Sequence, residues 1–310
     1  MTGAPFFTIF LPTYNRAYCL GDAIASCYRS TFRDFELIVV DDGSTDDTRA
    51  LVDRLKDETY HDLRYVHQKN QGKHVAFNHA VSLARGTLFL TLDSDDTLLE
   101  DALEKISRLW QSMSAQEHES FASIEFRCLE NGVASSAYPE PYLDSTYVER
   151  RQICRSRGEK RSAYRVDVLR EYPYPVFAGE RYCRPGLIDI RIAKRYKTRF
   201  SNIIAIDAGH LPDGIGANRR RVIASAPRAY RQYFLEEIRD HGRYHTRRNL
   251  RSYYKRFSRS SFNARIGLFQ QYREVPDKLL LLLSTPEAYL GSLADRLSLA
   301  RSRRRSNSPR

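Results

Sequence analysis

The first hundred residues of this chain alternate between two kinds of segment, and that alternation restricts the fold more than any other feature. Phe6 to Leu11 (FFTIFL), Phe35 to Val40 (FELIVV), Leu63 to Gln68 (LRYVHQ) and Thr87 to Leu92 (TLFLTL) are short runs rich in apolar and β-branched residues. Runs of this kind suit strands covered on both faces, as in a parallel sheet. Helical patterns separate them. Tyr18 to Ser30 puts Leu20, Ile24 and Cys27 on one face, and a helix capped by Ser44 or Thr45 runs to about Leu55. Lys73 to Ala84 repeats Val75, Ala76, Ala80, Val81 and Ala84, and Leu99 to Trp110 follows the fourth strand. Such a β-α series predicts an open α/β sheet with right-handed crossovers. Ligands bind these sheets beyond the carboxyl ends of the strands. Pro12-Thr13-Tyr14-Asn15, Asp41-Asp42 and Asp93-Ser94-Asp95-Asp96 should therefore converge on one crevice.

Beyond Ser112 the pattern is less regular. Phe121 to Glu130 reads as a strand, Tyr138 to Tyr147 as an aromatic-rich irregular loop, and Gly158 to Glu171 as strand-turn-helix. Leu187 to Lys197 reads as a helix and Phe200 to Ala208 as a strand, followed by a loop at Leu211-Pro212-Asp213-Gly214. From Pro227 the spacing of Tyr230, Phe234, Ile238, Tyr254, Phe257, Phe262 and Ile266 is helical. The expected division is an α/β domain over 1–225, a helical basic region over 226–300 and a disordered basic tail over 301–310.

The net charge of +12 is unevenly distributed. Basic residues crowd Arg219 to Arg273 and the tail at Arg301, Arg303, Arg304, Arg305 and Arg310, which favours an anionic partner such as a phosphate-bearing substrate or an anionic membrane face. A solvated basic face is the plainer reading, and pairing of the helices into a homo-oligomer is another. No nucleic-acid-binding motif accompanies the charge. The cysteines (Cys19, Cys27, Cys128, Cys154, Cys183) have no metal-ligand spacing and read as reduced thiols. Met1 to Pro5 does not resemble a signal peptide, and no apolar run nears the roughly 20 residues that span a bilayer. A cytoplasmic protein, with peripheral membrane contact, is expected.

Three carboxylates within four residues at a strand end repel one another unless a cation lies among them. Mg²⁺ or Mn²⁺ takes oxygen ligands and bridges one or two carboxylates to substrate phosphates. Asp93, Asp95 and Asp96 are thus candidate metal ligands, although Asp95 or Asp96 could instead cap the helix that follows. Asp42 can accept hydrogen bonds from a base N–H or a ribose hydroxyl. Tyr14 offers a ring for a nucleobase to stack on, or for the core to cover.

Taken together, FLPTYNRAYCLGDAIASCYRSTFRDFELIVVDDGSTDDT (10–48), NQGKHVAFNHAVSLARGTLFLTLDSDD (70–96) and, more loosely, GERYCRPGLIDIRIAKRY (179–196) resemble the family 2 glycosyltransferases of the GT-A fold. The resemblance implies that Pro12, Tyr14, Asn15 and Asp42 face the nucleoside, and that Asp95 and Asp96 serve ribose and metal with Asp93 completing the motif. It places Asn70, Gly72, Lys73 and Asn78 beside the diphosphate. The implied donor is a nucleoside diphosphate sugar, UDP ahead of GDP or dTDP, with Mn²⁺ or Mg²⁺. The implied reaction is a single inverting displacement by a glycan or polyprenyl-linked hydroxyl, for surface polysaccharide or glycolipid synthesis. A carboxylate base is expected within 177–193. Glu180 is first and Asp189 second, because Pro185 stands where the family's second acid falls; a surface pairing of Glu180 with Arg181 or Arg184 is the plainer alternative. His210 is a candidate late metal ligand or simply an exposed histidine. A sugar-nucleotide-binding protein without catalysis would share every donor-side residue.

Overall fold

A computed structural model of the chain describes residues 3–57, 63–139, 141–154, 157–209 and 219–306. The chain divides into two compact units, one of 1–174 with 191–212 and the other of 175–190 with 213–310. The segment carrying Glu180 and Asp189 thus groups with the C-terminal helices.

The first unit opens with β1 (Phe7–Thr13), α1 (Ala17–Tyr28), β2 (Phe35–Asp41), α2 (Thr48–Asp57), β3 (Leu63–His67), α3 (Lys73–Leu83) and β4 (Leu88–Thr91). The four strands are parallel in the order β3-β2-β1-β4, so the apolar runs are strands and the periodic segments their crossovers. Phe7, Ile9 and Leu11 of β1, with Leu37 and Val39 of β2 and Leu88 and Leu90 of β4, pack with Leu20 and Ile24 of α1 in one cluster. On the other face Phe10 and Phe89 meet Phe77 of α3. Each such side chain contributes about 1.5–3 kcal/mol by leaving water, and a one-residue slip would reverse both faces. Glu36 interrupts the apolar run of β2 yet is 1% exposed. Thr8 Oγ1 donates to it at 2.7 Å, and Arg64 and Arg85 pair with it at 2.5 and 2.9 Å, which satisfies the buried charge.

The unit continues with β5 (Thr97–Leu98), α4 (Ala102–Gln111), α5 (Ala115–Ser120), β6 (Phe121–Glu130), β7 (Val133–Ala134), β8 (Tyr142–Ser145), α6 (Tyr147–Ile153), β9 (Lys160–Arg165) and α7 (Val166–Glu171). After α8 (Gly186–Ile192), which lies across the division, β10 (Lys197–Ala208) returns to the sheet. The sheet runs β3-β2-β1-β4-β9-β6-β10-β5, with β7 beside β6 and β8 beside β10. β9 is antiparallel to both β4 and β6, so the second half of the sheet is mixed.

Several expectations differ locally. The loop expected at Tyr138 to Tyr147 contains β8, which pairs with β10 from Thr198 to Ser201. The helix expected over Leu187 to Lys197 ends at Ile192 because Lys197 already begins β10. Neither Ser44 nor Thr45 caps α2. Asp46 does so, its Oδ1 accepting from the Thr48 amide at 3.1 Å, while Ser44 accepts from the Asn15 amide at 2.8 Å.

The second unit holds α9 (Arg219–Ser225), α10 (Pro227–His241), a 3-10 turn at Gly242–Tyr244, α11 (Arg247–Asn263), α12 (Leu268–Glu274) and α13 (Lys278–Ser306). The tail expected to be disordered from 301 is helical through Ser306; residues 307–310 lie outside the described residues, as do His210 and the loop at 211–214. Among the described residues no helix is long and apolar enough to cross a membrane.

Candidate active site

The ends of β1, β2 and β4 are tied together by a series of short contacts in the first unit. The amide of Asp42 donates to Thr13 O at 2.9 Å, which joins β2 to β1. Asn15 has φ 52, a left-handed conformation that Asn tolerates, and its Oδ1 accepts from the Thr45 amide at 2.8 Å. Pro12 sits in register with Val40, and Tyr14 leaves 47% of its surface exposed just beyond the strand. The tyrosine ring is available to a ligand.

Asp42 is 7% exposed, and both its oxygens meet protein donors. Oδ1 accepts from Gln68 Nε2 at 2.9 Å and from the Gln71 amide at 2.8 Å, and Oδ2 accepts from the Gly72 amide at 2.7 Å. Gly72 has φ 99, which a side chain would strain, and it starts α3. Asp42 thus shapes the loop that delivers Lys73.

Lys73, the first residue of α3, pairs with Oδ1 of Asp93. Oδ2 of Asp93 accepts from Arg161 of β9 at 3.3 Å. Arg161 also pairs with Asp96 at 3.5 Å and with Glu159, and its side chain is only 22% exposed. Burial pushes the Asp93 carboxyl upward, but Lys73 and Arg161 outweigh it and hold the group below the ordinary carboxylate range. Asp93, assigned to the metal set from the sequence, therefore lies between two cations. Arg161 is the residue that sequence reasoning missed.

The next two acids behave differently. Burial first, then the charge of Asp93, raises Asp95, and the same two causes push Asp96 to about 7. Asp96 Oδ1 accepts from the Gly209 amide at 3.0 Å. Its Oδ2 is buried with no hydrogen bond, the 3.5 Å approach of Arg161 being an ion-pair contact only. A Cβ on Gly209 would stand 1.9 Å from Asp95 O, so only glycine allows the end of β10 to close on the cluster. Two carboxyls with raised pKa values and an orphaned oxygen are what a divalent cation would correct. Among the described residues no group of three or more His, Cys, Asp or Glu is arranged to hold a metal. Mg²⁺-type sites typically use one or two carboxylates and complete the shell with phosphate oxygens and water, so Asp95 and Asp96 fit that group.

This electrostatics has a measurable sign. The folded pKa of Asp96 lies above its unfolded value, so its contribution to stability is complete below about pH 4 and is lost as pH rises through about 7. The difference is on the order of 4 kcal/mol for a shift of this size. In EDTA, Asp96→Asn should therefore raise the melting temperature at pH 8 and much less at pH 5. An equal effect at both values would contradict the assignment.

Three further expected site residues make contacts of their own. Asn78, expected beside the diphosphate, lies within α3 and clamps the backbone of Tyr174. It donates to Tyr174 O at 2.9 Å and accepts from the Tyr174 amide at 2.9 Å. In the second unit Glu180 is 8% exposed and accepts the Arg228 and Ala229 amides at 2.8 and 2.9 Å. Those are free N–H groups at the start of α10, so Glu180 caps that helix from a distant segment. Burial raises its carboxyl, which these bonds only partly offset. Asp189 is half-buried on α8. Glu180→Ala should cost about 1–2 kcal/mol in unfolding experiments, and Glu180→Gln less, since an amide oxygen still accepts one N–H. A large activity loss in Glu180→Gln without loss of stability would assign it as the base.

A profile for glycosyl transferase family 2 matches residues 8–172. Chondroitin synthase of Escherichia coli is 40% identical over 103 residues, 32% of this chain and 14% of that protein. A PGL/p-HBAD biosynthesis glycosyltransferase of Mycobacterium bovis is 39% identical over 105 residues, 34% of this chain and 41% of that one. The chain spans less than half the length of these curated relatives. Among solved structures, S. aureus TarS 1-349 in complex with UDP-GlcNAc superposes with TM-score 0.64 at 17% identity, covering 98% of this chain and 93% of that one. The mannosyltransferase PcManGT from Pyrobaculum calidifontis in complex with GDP-Man and Mn²⁺ gives 0.58 at 19% identity, covering 94% and 87%. At such identities these two show a shared fold, that of the GT-A glycosyltransferases with a helical C-terminal region. With more than half its length matched by the profile, the chain belongs to glycosyl transferase family 2.

Proposed function

We propose that the chain moves a sugar from a nucleoside diphosphate donor, UDP ahead of GDP or dTDP, to a hydroxyl of a glycan or lipid-linked acceptor with inversion. The observation that carries this reading is the charge arrangement at the strand ends. Asp93 is locked by Lys73 and Arg161, whereas Asp95 and Asp96 are left in excess of local positive charge. A divalent cation held by Asp95 and Asp96 would neutralise the diphosphate and make it a better leaving group. Lys73 and Arg161 fix the turn so that these two carboxylates keep their positions without rearranging. The exposed ring of Tyr14 gives the base a stacking surface. Relatives in complexes with UDP-GlcNAc and with GDP-Man and Mn²⁺ support a nucleotide sugar and a metal of this class.

Glu180 and, second to it, Asp189 are the two proposed bases, and each Glu180 oxygen already accepts a helix amide. The same observation favours a second reading, a sugar-nucleotide-binding protein without transfer activity. Incubation with UDP-, GDP- and dTDP-sugars and Mn²⁺, reading release of the nucleoside diphosphate, separates the two. Release that Glu180→Gln or Asp189→Asn abolishes supports the transferase. Tight binding with no release from any donor supports the second reading. We further propose that the chain works at the cytoplasmic face of an anionic membrane, in synthesis of a surface polysaccharide or glycolipid.

A further inference from the structure

The helix α13 has two faces of opposite character. Leu281, Ser284, Ala288 and Ser292 are buried on one side. That side is fastened to α11, where Glu287 pairs with Arg251 and Lys255 and Asp295 pairs with Arg259. The other side is apolar and uncovered. Leu279, Leu283, Leu290 and Leu297 are 63%, 57%, 67% and 62% exposed, with Leu282, Leu293 and Tyr289 beside them. At 3.6 residues per turn these seven fall within an arc of about 120°. A stripe this long is more than scattered surface leucines.

Charge identifies what covers it. Residues 219–310 hold 22 Lys and Arg against 7 Asp and Glu, an excess of 15 in a chain whose net charge is +12. The last turns of the same helix carry Arg301, Arg303, Arg304 and Arg305. At the other end of the stripe the exposed rings of Phe269 and Tyr272 lie under Arg273 and Lys278. Rings and cations side by side suit a headgroup layer, where apolar bodies sink and charged heads stay wet. A second copy of the chain would bring the same positive charge against this surface. Pro286 also stands exposed in the middle of the stripe, where a paired helix needs an unbroken row of side chains.

We propose that the outer face of α13 lies in the plane of an anionic lipid surface, its leucines at the acyl boundary and the positive charge of this region drawn to the headgroups. This rests on the membrane reading above and names the surface that does the docking. The test is co-sedimentation of the full chain with phosphatidylcholine vesicles, with and without phosphatidylglycerol. Wild type should bind only the anionic vesicles, more weakly at high salt. Leu290→Gln/Leu293→Gln/Leu297→Gln, whose side chains are exposed, should keep its circular dichroism and bind roughly tenfold more weakly per leucine withdrawn from lipid. Failure of wild type to bind overturns the membrane reading itself. Binding of the triple variant equal to wild type overturns only the role of this face. Self-association in sedimentation equilibrium that the triple variant loses, without vesicle binding, assigns the face to contact between copies and overturns the proposal.

Discussion

Asp95→Asn is expected to lower sugar transfer by roughly 10²–10³-fold, the loss typical of removing one group that stabilises developing charge. The same change should leave the fold intact or slightly more stable. Asp95 is raised first by burial and then by Asp93, so a neutral amide relieves a desolvated, repelled carboxylate. Asp93→Asn should behave in the opposite manner. Its carboxylate is the shared partner of Lys73 and Arg161, and its loss leaves a largely buried arginine with less compensation. The pair of variants therefore divides the acidic cluster into a ligand part and a structural part. Equal stability losses in both would erase that division. Product release in a coupled assay and thermal unfolding provide the two readouts.

Arg161→Met is expected to be the most destabilising single change in the first unit away from its apolar core. Removing one partner of a buried ion pair costs about 3–5 kcal/mol, because the remaining charge stays desolvated. Here three acids lose a cation: Asp93, which keeps Lys73, together with Asp96 and Glu159. The melting temperature should fall by on the order of 10 °C for a unit of this size. Lys73→Met is the contrast: its side chain is 39% exposed against 22% for Arg161, solvent screens the loss, and the cost should be about 1 kcal/mol. A Lys73 variant as unstable as the Arg161 variant would show that burial does not set the order.

Much of the nucleotide half was legible because strand ends are local. Phe6 to Leu11, Phe35 to Val40 and Thr87 to Leu92 stop at Pro12, Asp41 and Asp93, and the rule for α/β sheets then gathers Tyr14, Asp42 and Asp93 without knowledge of any contact. What sequence could not give depends on antiparallel returns from far along the chain. Arg161 reaches Asp93 across 68 residues because β9 inserts between β4 and β6. In the sequence it is one arginine among several between Arg150 and Arg170, and nothing in the alternation of that strand distinguishes it. Gly209 at the end of β10 is hidden for the same reason. Asn78 and Glu180 illustrate the converse. Both matched an expected position, yet one clamps Tyr174 and the other caps α10, since a polar side chain near a loop is often taken up by an unpaired backbone group.

Asp95 and Asp96 are proposed to hold a divalent cation for a nucleoside diphosphate. Isothermal titration of UDP, GDP and dTDP into the protein, with Mn²⁺ and then with EDTA, tests it directly. One nucleotide should bind tightly, require Mn²⁺ and lose its binding in Asp95→Asn. Binding that is unchanged by EDTA and by Asp95→Asn would contradict it.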